Sequence, residues 1–269
     1  MACFGCDAMN DAVILTIEQA VATITLNRPA VHNAFDDAMI AQLNDHLARV
    51  TADPSLRALV LRAAGKSFSA GADLEWMRRM ATYSMAQNVA DAGGLATLMH
   101  RLDQLPIPTL ALVQGSAFGG GVGLVACCDI AIAATSAKFC FSEVKLGLIP
   151  AVISPYAVAA IGARAARRYF LTAEIFDAAT AHALGLVHQV IEAEALDLAA
   201  EAILASLAHG GPGAQAASKA LIRTVAGRSI DHGLVTETQR LIAEQRASVE
   251  GREGITAFLE RRAPSWRSA

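Results

Sequence analysis

Apolar and polar residues alternate with period two from residue 12 to residue 27, AVILTIEQAVATITLN, a stretch rich in Val, Ile and Thr around a Glu-Gln-Ala break. That pattern predicts a β-hairpin, which Arg28-Pro29 ends. The period then changes. Met39, Ile40, Leu43, Leu47 and Val50 recur at helical spacing, so a helix starts near Asp36. ALVLRA at 58–63 and TLALV at 109–113 are short apolar runs of the kind that form buried strands, and 129–134 and 139–142 are two more, the second delivering Glu143 at its end.

From Glu75 to Leu105 the pattern is helical with an expected break at Gly93-Gly94, and Pro106 and Pro108 mark the exit. Pro150 and Pro155 bracket a turn; AVAAIG and RAARRYFLT then read as helices, and one more helix and LVHQVI at 186–191 complete the core pattern. Past about residue 195 the chain reads as four amphipathic helices separated by glycine and proline. The expected organisation is therefore a mixed α/β core over residues 1–195 and a helical region over 196–269, with no repeat or low-complexity tract.

Composition narrows the class. Hydrophobic residues make up 54% of the 269, enough for a sizeable core. Mean hydropathy is +0.39, yet no uninterrupted apolar run reaches the roughly 18 residues of a membrane span, so excess apolar surface is expected between subunits. A net charge of −3 gives no mark of a nucleic-acid or membrane-surface binder. Five cysteines, Cys3, Cys6, Cys127, Cys128 and Cys140, are an odd count with two adjacent in an apolar segment, which fits a reducing compartment better than a disulfide framework. The Cys3/Cys6 CxxC has no second pair to hold zinc. Neither a secretory signal nor an Arg-rich transit pattern is legible at the start, and a cytoplasmic location is the expectation.

The stretch with chemistry is Gly115–Pro150, GSAFGGGVGLVACCDIAIAATSAKFCFSEVKLGLIP. Gly119, Gly120 and Gly121 permit positive φ and close approach of the backbone, and a helix starting there has N–H groups without intrahelical partners. Such a turn suits a negative oxygen, though a packed tight turn has the same composition. Glu143 is one carboxylate in apolar surroundings, where a raised pKa suits proton transfer; Lys145 is the alternative, as an ion-pair partner. A second small-residue loop, Gly65–Met77, GKSFSAGADLEWM, follows the 58–63 strand.

These two loops together resemble the enoyl-CoA hydratase/isomerase (crotonase) family, whose hallmark segments have the forms F-x-A-G-A-D-hydrophobic and G-x-x-x-G-G-G. The resemblance runs from about Ile14 to Arg262. It implies an α/β crotonase spiral of ββα units with a C-terminal helical trimerisation region. It also implies an oxyanion hole from the N–H groups of Ala72 and Gly120, with Glu143 as acid/base. By the same resemblance, Arg28, Val31, Ser69, Ala70, Leu74, Gly119, Gly123, Phe258 and Arg261 are the expected substrate and coenzyme A contacts. Phe258 and Arg261 would act from a neighbouring subunit. Arg28, Phe258 and Arg261 read equally well as ordinary surface positions, and His32 as a residue filling a structural niche.

One departure matters for the reaction. Where two-glutamate hydratases carry their second glutamate, this chain has Gly123. The wording of SEVKLGLIPAVISPY and AARRYFLTAE is most similar to the bacterial methylglutaconyl-CoA hydratase branch. That implies hydration of an unsaturated acyl-CoA with a distal carboxylate, for which Arg78, Arg79 and Lys145 are the cations at hand. The resemblance implies no cofactor beyond the coenzyme A of the substrate, no metal, and a homotrimer or dimer of trimers. A double-bond isomerase with one glutamate is the enzymatic alternative, and an acyl-CoA- or RNA-binding protein without turnover is the alternative of another class.

Overall fold

The protein is described by a computed structural model over residues 11–267; Cys3 and Cys6 lie outside the described residues. Strands β1 (Val13–Glu18) and β2 (Val21–Leu26) form the hairpin, antiparallel and in register from Val13 opposite Leu26 to Glu18 opposite Val21. Its two-residue turn, Gln19-Ala20, has φ of 48° and 65°, the doubly left-handed conformation that matches strand twist. Helix α1 (Asp37–Ala52) follows. Asp36 caps it by accepting the Met39 N–H at 2.7 Å, and the five apolar residues at helical spacing are its buried face.

Strand β3 (Ala58–Ala63) lies parallel to β2. The helical stretch after it divides into α2 (Leu74–Met80) and α3 (Met85–Gln104), and the division is not at the two glycines. Ser84 and Gln87 form a capping box that restarts the helix, while Gly93 and Gly94 lie inside α3. Packing decides this over propensity. The Gly94 carbonyl accepts the Asn44 side-chain N–H at 3.1 Å, and a Cβ on Gly94 would already touch Ile40 of α1 at 3.5 Å.

Next come β4 (Thr109–Val113), the two-residue β5 (Ala117–Phe118), α4 (Gly120–Cys127), β6 (Ile130–Ala134) and β7 (Lys138–Cys140). The strand expected to deliver Glu143 stops at Cys140. Glu143 instead opens a 3-10 turn, Glu143–Leu146, closed by Gly147 at φ 71°. Helix α5 (Ser154–Thr172) takes Pro155 into its first turn and kinks at Gly162 (φ 74°), which separates the two segments read as helices. Strand β8 (Phe176–Asp177), α6 (Ala178–Leu184) and β9 (Gln189–Ile191) complete the core.

Six strands form one sheet in the order β1-β2-β3-β4-β6-β9, parallel beyond the hairpin; β5-β7-β8 form a second, smaller one. All five residues of β4 are buried, the mark of a central parallel strand covered on both faces. The short β5 and β8 carry too few residues to show a period, and the sequence did not announce them.

The chain forms two compact units. One comprises the chain to Leu105 with Thr109–Ala200; the other comprises Pro106–Pro108 with the chain from Glu201. The division falls within α7 (Leu196–Ala208). The second unit contains α8 (Pro212–Val225), α9 (His232–Ala247) and α10 (Val249–Leu259). Glu250 of α10 caps α8 by accepting the Gly213 and Ala214 N–H groups at 2.9 and 2.7 Å. No helix among the described residues is long and apolar enough to cross a membrane.

Candidate active site

Three loops are laced together by their backbones. Ser69 donates its N–H to Ser116 O at 3.0 Å and accepts the Phe118 N–H at 2.9 Å, joining the second loop to β5. Phe35 donates to Gly71 O and accepts from the Asp73 N–H, both at 2.7 Å, joining the loop after β2 to the same segment. Asn33, fully buried with φ 54°, locks the corner: its side-chain N–H groups reach Ala64 O and Ser67 O at 2.8 Å, and its Oδ1 accepts the Arg28 N–H at 2.7 Å.

Asp73 ties the arrangement to a helix. It caps α2, and the Arg28 guanidinium meets it at 3.0 Å and Asp36, the cap of α1, at 3.0 Å. Arg28 also donates to Ala34 O at 2.7 Å. Burial pushes the Asp73 carboxyl up, but the Glu75 and Trp76 N–H groups and Arg28 together hold it below the usual carboxylate range. Arg28 is thus committed to two helix caps and one carbonyl rather than projecting into solvent.

Within this frame the N–H groups of Ala72 and Gly120 are among those that meet no acceptor among the described residues. The bridge between Phe35 and residues 71–73 uses the Gly71 carbonyl and the Asp73 N–H and skips the N–H of Ala72. Gly120 is the first residue of α4, so its N–H has no intrahelical partner, and no other acceptor meets it among the described residues. Gly119, the cap, has φ 51° and ψ −120°, a conformation open only to glycine, and donates its own N–H to Cys140 O at 2.9 Å.

Glu143 lies against this turn. A Cβ built on Gly119 would stand 3.4 Å from Glu143 Oε1 and 3.9 Å from Gly71 Cα, so the turn, the second loop and the carboxyl meet at one place. Glu143 Oε2 is closed off from solvent and has no hydrogen-bond partner. Burial raises the Glu143 pKa above the ordinary carboxylate range, offset only in part by its own backbone N–H. Oε1 of this carboxyl therefore lies against Gly119, the residue just before the Gly120 N–H.

The other expected contacts are distributed differently. Ala70, Leu74 (71% exposed) and Val31 are at the surface of the loops, whereas Ser69 is enclosed, its hydroxyl donating to Asn33 O at 2.9 Å and its backbone taken by β5. His32 is exposed, with its ring at 3.1 Å from Ser67 Oγ. Arg78 pairs with Glu75, and Arg79 with Asp37 at 2.6 Å. Lys145 is exposed in the 3-10 turn that Glu143 opens and has no ion pair among the described residues. Phe258 (81% exposed) and Arg261 (φ 54°) belong to the second unit. Gly123 is buried under Ile153, which sequence reasoning passed over: an isoleucine in a proline-bounded turn carries no chemical signal.

Enoyl-CoA hydratase/isomerase proteins match residues 16–269 as a family. An enoyl-CoA hydratase from Shewanella pealeana superposes with a TM-score of 0.93 at 47% identity, over 96% of this chain and 97% of that one. Pseudomonas aeruginosa AtuE superposes at 0.90 with 38% identity, over 96% and 100%. A crotonyl-CoA hydratase of Syntrophomonas wolfei is 32% identical over 253 residues, covering 93% of this chain and 95% of its own. With the spiral of strands and helices and the two loops in place, the chain belongs to the enoyl-CoA hydratase/isomerase family.

Proposed function

We propose that this chain adds water across the double bond of an α,β-unsaturated acyl-CoA, and that the substrate is of the methylglutaconyl type, a branched acyl chain with a distal carboxylate. One observation carries the hydratase reading: a dry carboxyl oxygen without a partner, Glu143 Oε2, beside a turn whose Gly120 N–H has no acceptor. As the carboxylate, Glu143 removes a proton from water while the water oxygen bonds to the β-carbon. The π electrons move onto the thioester oxygen, where the Ala72 and Gly120 N–H groups meet the charge. The Glu143 carboxyl then returns its proton to the α-carbon. Loss of one such donor typically costs about 3 to 4 kcal/mol of barrier.

Lys145 supports the distal carboxylate, since Arg78 and Arg79 are already engaged by acids and Lys145 is two residues from Glu143 without an ion pair among the described residues. Ala70, Leu74 and Val31 offer exposed surface for coenzyme A. Phe258 and Arg261 complete that contact from a neighbouring copy in a homotrimer or dimer of trimers. The exposed apolar residues Ile222, Val235, Ile242 and Leu259 support such assembly. Coenzyme A enters as part of the substrate.

A second reading, double-bond isomerisation, is favoured by one observation: with Gly123 covered by Ile153, no second acid is available, and shuttling a proton between two carbons needs only one. The test is to incubate the protein with 3-methylglutaconyl-CoA, crotonyl-CoA and a 3-enoyl-CoA, following the conjugated thioester absorbance and product mass. Falling absorbance with a gain of one water on the branched substrate is the expected result. Rising absorbance at unchanged mass on the 3-enoyl substrate would overturn hydration in favour of isomerisation.

A further inference from the structure

Phe35 touches both turns whose Ala72 and Gly120 N–H groups meet no acceptor among the described residues. Its own N–H donates to Gly71 O at 2.7 Å. That carbonyl and the Ala72 N–H belong to one peptide plane, and in a trans peptide the two point in opposite directions, so the bond from Phe35 turns the Ala72 N–H away from it. The Gly119–Gly120 peptide is fixed in the same manner. Gly119 O accepts the Val122 and Gly123 N–H groups at 3.0 and 3.2 Å, which points the Gly120 N–H out of the start of α4.

The side chain of Phe35 joins the two. A Cβ on Gly120 would fall 3.0 Å from Phe35 Cε2 and 3.1 Å from Cδ2, and beyond chain neighbours and the helix backbone no other described group lies within 4 Å of that point. The ring is therefore what α4 rests on at Gly120. Phe35 is 2% exposed, and an aromatic ring has only two torsions with which to yield. Its chain segment is held as well: His32 O accepts the Ala70 N–H at 2.9 Å, Ala34 O accepts the Arg28 guanidinium, and Asp36 caps α1. Beside it the seam is equally tight, since a Cβ on Gly121 would fall 2.9 Å from Ser69 Cβ.

We propose that Phe35 is a positioning residue for the oxyanion: its main chain aims the Ala72 N–H, and its ring sets how near the Gly120 N–H stands. One rigid side chain thus gauges the gap between two donors, each of which must lie within about 2.7–3.1 Å of the charged oxygen. This rests on reading the Ala72 and Gly120 N–H groups as the donors to the thioester oxygen, and it holds for hydration and isomerisation alike.

The test reads the carbonyl stretch of 13C-labelled butyryl-CoA, a saturated thioester with no double bond to react, by infrared difference spectroscopy. Wild type, Phe35→Leu and a core control, Val50→Ala at the other end of α1, are compared, with kcat, KM and melting temperature measured on each. Donors on the oxygen weaken the C=O bond, so binding to wild type should lower the stretch. Phe35→Leu keeps the main-chain bonds but removes the ring, and should lose a large part of that shift with a fall of about 10- to 100-fold in kcat at nearly constant KM. Val50→Ala should lower the melting temperature and leave the stretch where wild type has it. Should Phe35→Leu fail to fold, Phe35→Met, closer in length, gives the same reading with smaller amplitude. Folded Phe35 variants that keep the full wild-type shift would overturn the role of Phe35. A wild-type complex whose stretch does not move would instead overturn the reading of the two N–H groups as donors.

Discussion

Glu143 sets its carboxyl against Gly119 so closely that a methyl there would stand 3.4 Å from Oε1, and Gly119 holds φ 51° and ψ −120° to make the approach. Gly119→Ala therefore meets backbone strain of about 1–3 kcal/mol, and relieving it turns the Gly120 N–H and the contact with the Glu143 carboxyl. The expected outcome is a lower melting temperature together with a fall in kcat that exceeds any change in KM. Thermal unfolding and steady-state kinetics on one preparation check it.

The raised pKa of Glu143 has a sign that stability measurements read. The fold favours the neutral carboxyl, so the contribution of this group is fully present below the ordinary glutamate pKa and is lost as pH rises through the higher folded value. Glu143→Gln, which does not ionise, should therefore unfold at higher denaturant than wild type above that window, with the two converging in acid. Urea unfolding at several pH values measures the difference.

Gly123 and Ile153 should be energetically coupled. Gly123→Ala alone forces its methyl into Ile153 and is expected to destabilise by about 1–3 kcal/mol. In the Ile153→Ala background the same substitution fills space instead, so the double variant should be more stable than the sum of the singles, with a coupling of about 0.5–3 kcal/mol. A double-mutant cycle by chemical denaturation gives the value.

Arg28 joins the caps of α1 and α2 through Asp36 and Asp73, and its side chain is under a quarter exposed. Arg28→Met leaves the Asp73 carboxylate in a half-enclosed site without its cation, and a loss of about 1–3 kcal/mol is expected. Arg28→Lys should recover little of it, because the planar fork serves two carboxylates and a carbonyl at once. A contact role for Arg28 toward coenzyme A would show instead as a KM increase at unchanged stability.

Much of this architecture could be read from the chain because its period is regular where packing is regular. The α1 face of Met39, Ile40, Leu43, Leu47 and Val50 and the fully apolar β4 are buried as spaced. Reading failed where a tertiary contact outweighs local preference: Gly93-Gly94 stay helical against α1, and the strand toward Glu143 ends early because Glu143 is needed in a turn. In the site, the glycines and the lone glutamate announce themselves chemically. Asn33 and Ile153 do not, since what they do depends on chain segments 30 or more residues away that no local pattern reveals.

The most direct measurement is the turnover of Glu143→Gln on 3-methylglutaconyl-CoA and crotonyl-CoA, set beside its circular dichroism and its affinity for acyl-CoA. A single carboxyl carrying both proton transfers predicts a fall of about 10² to 10⁴-fold in kcat with fold and binding intact. A variant that hydrates at the wild-type rate would contradict the account, because the pocket would then contain its acid/base somewhere other than Glu143.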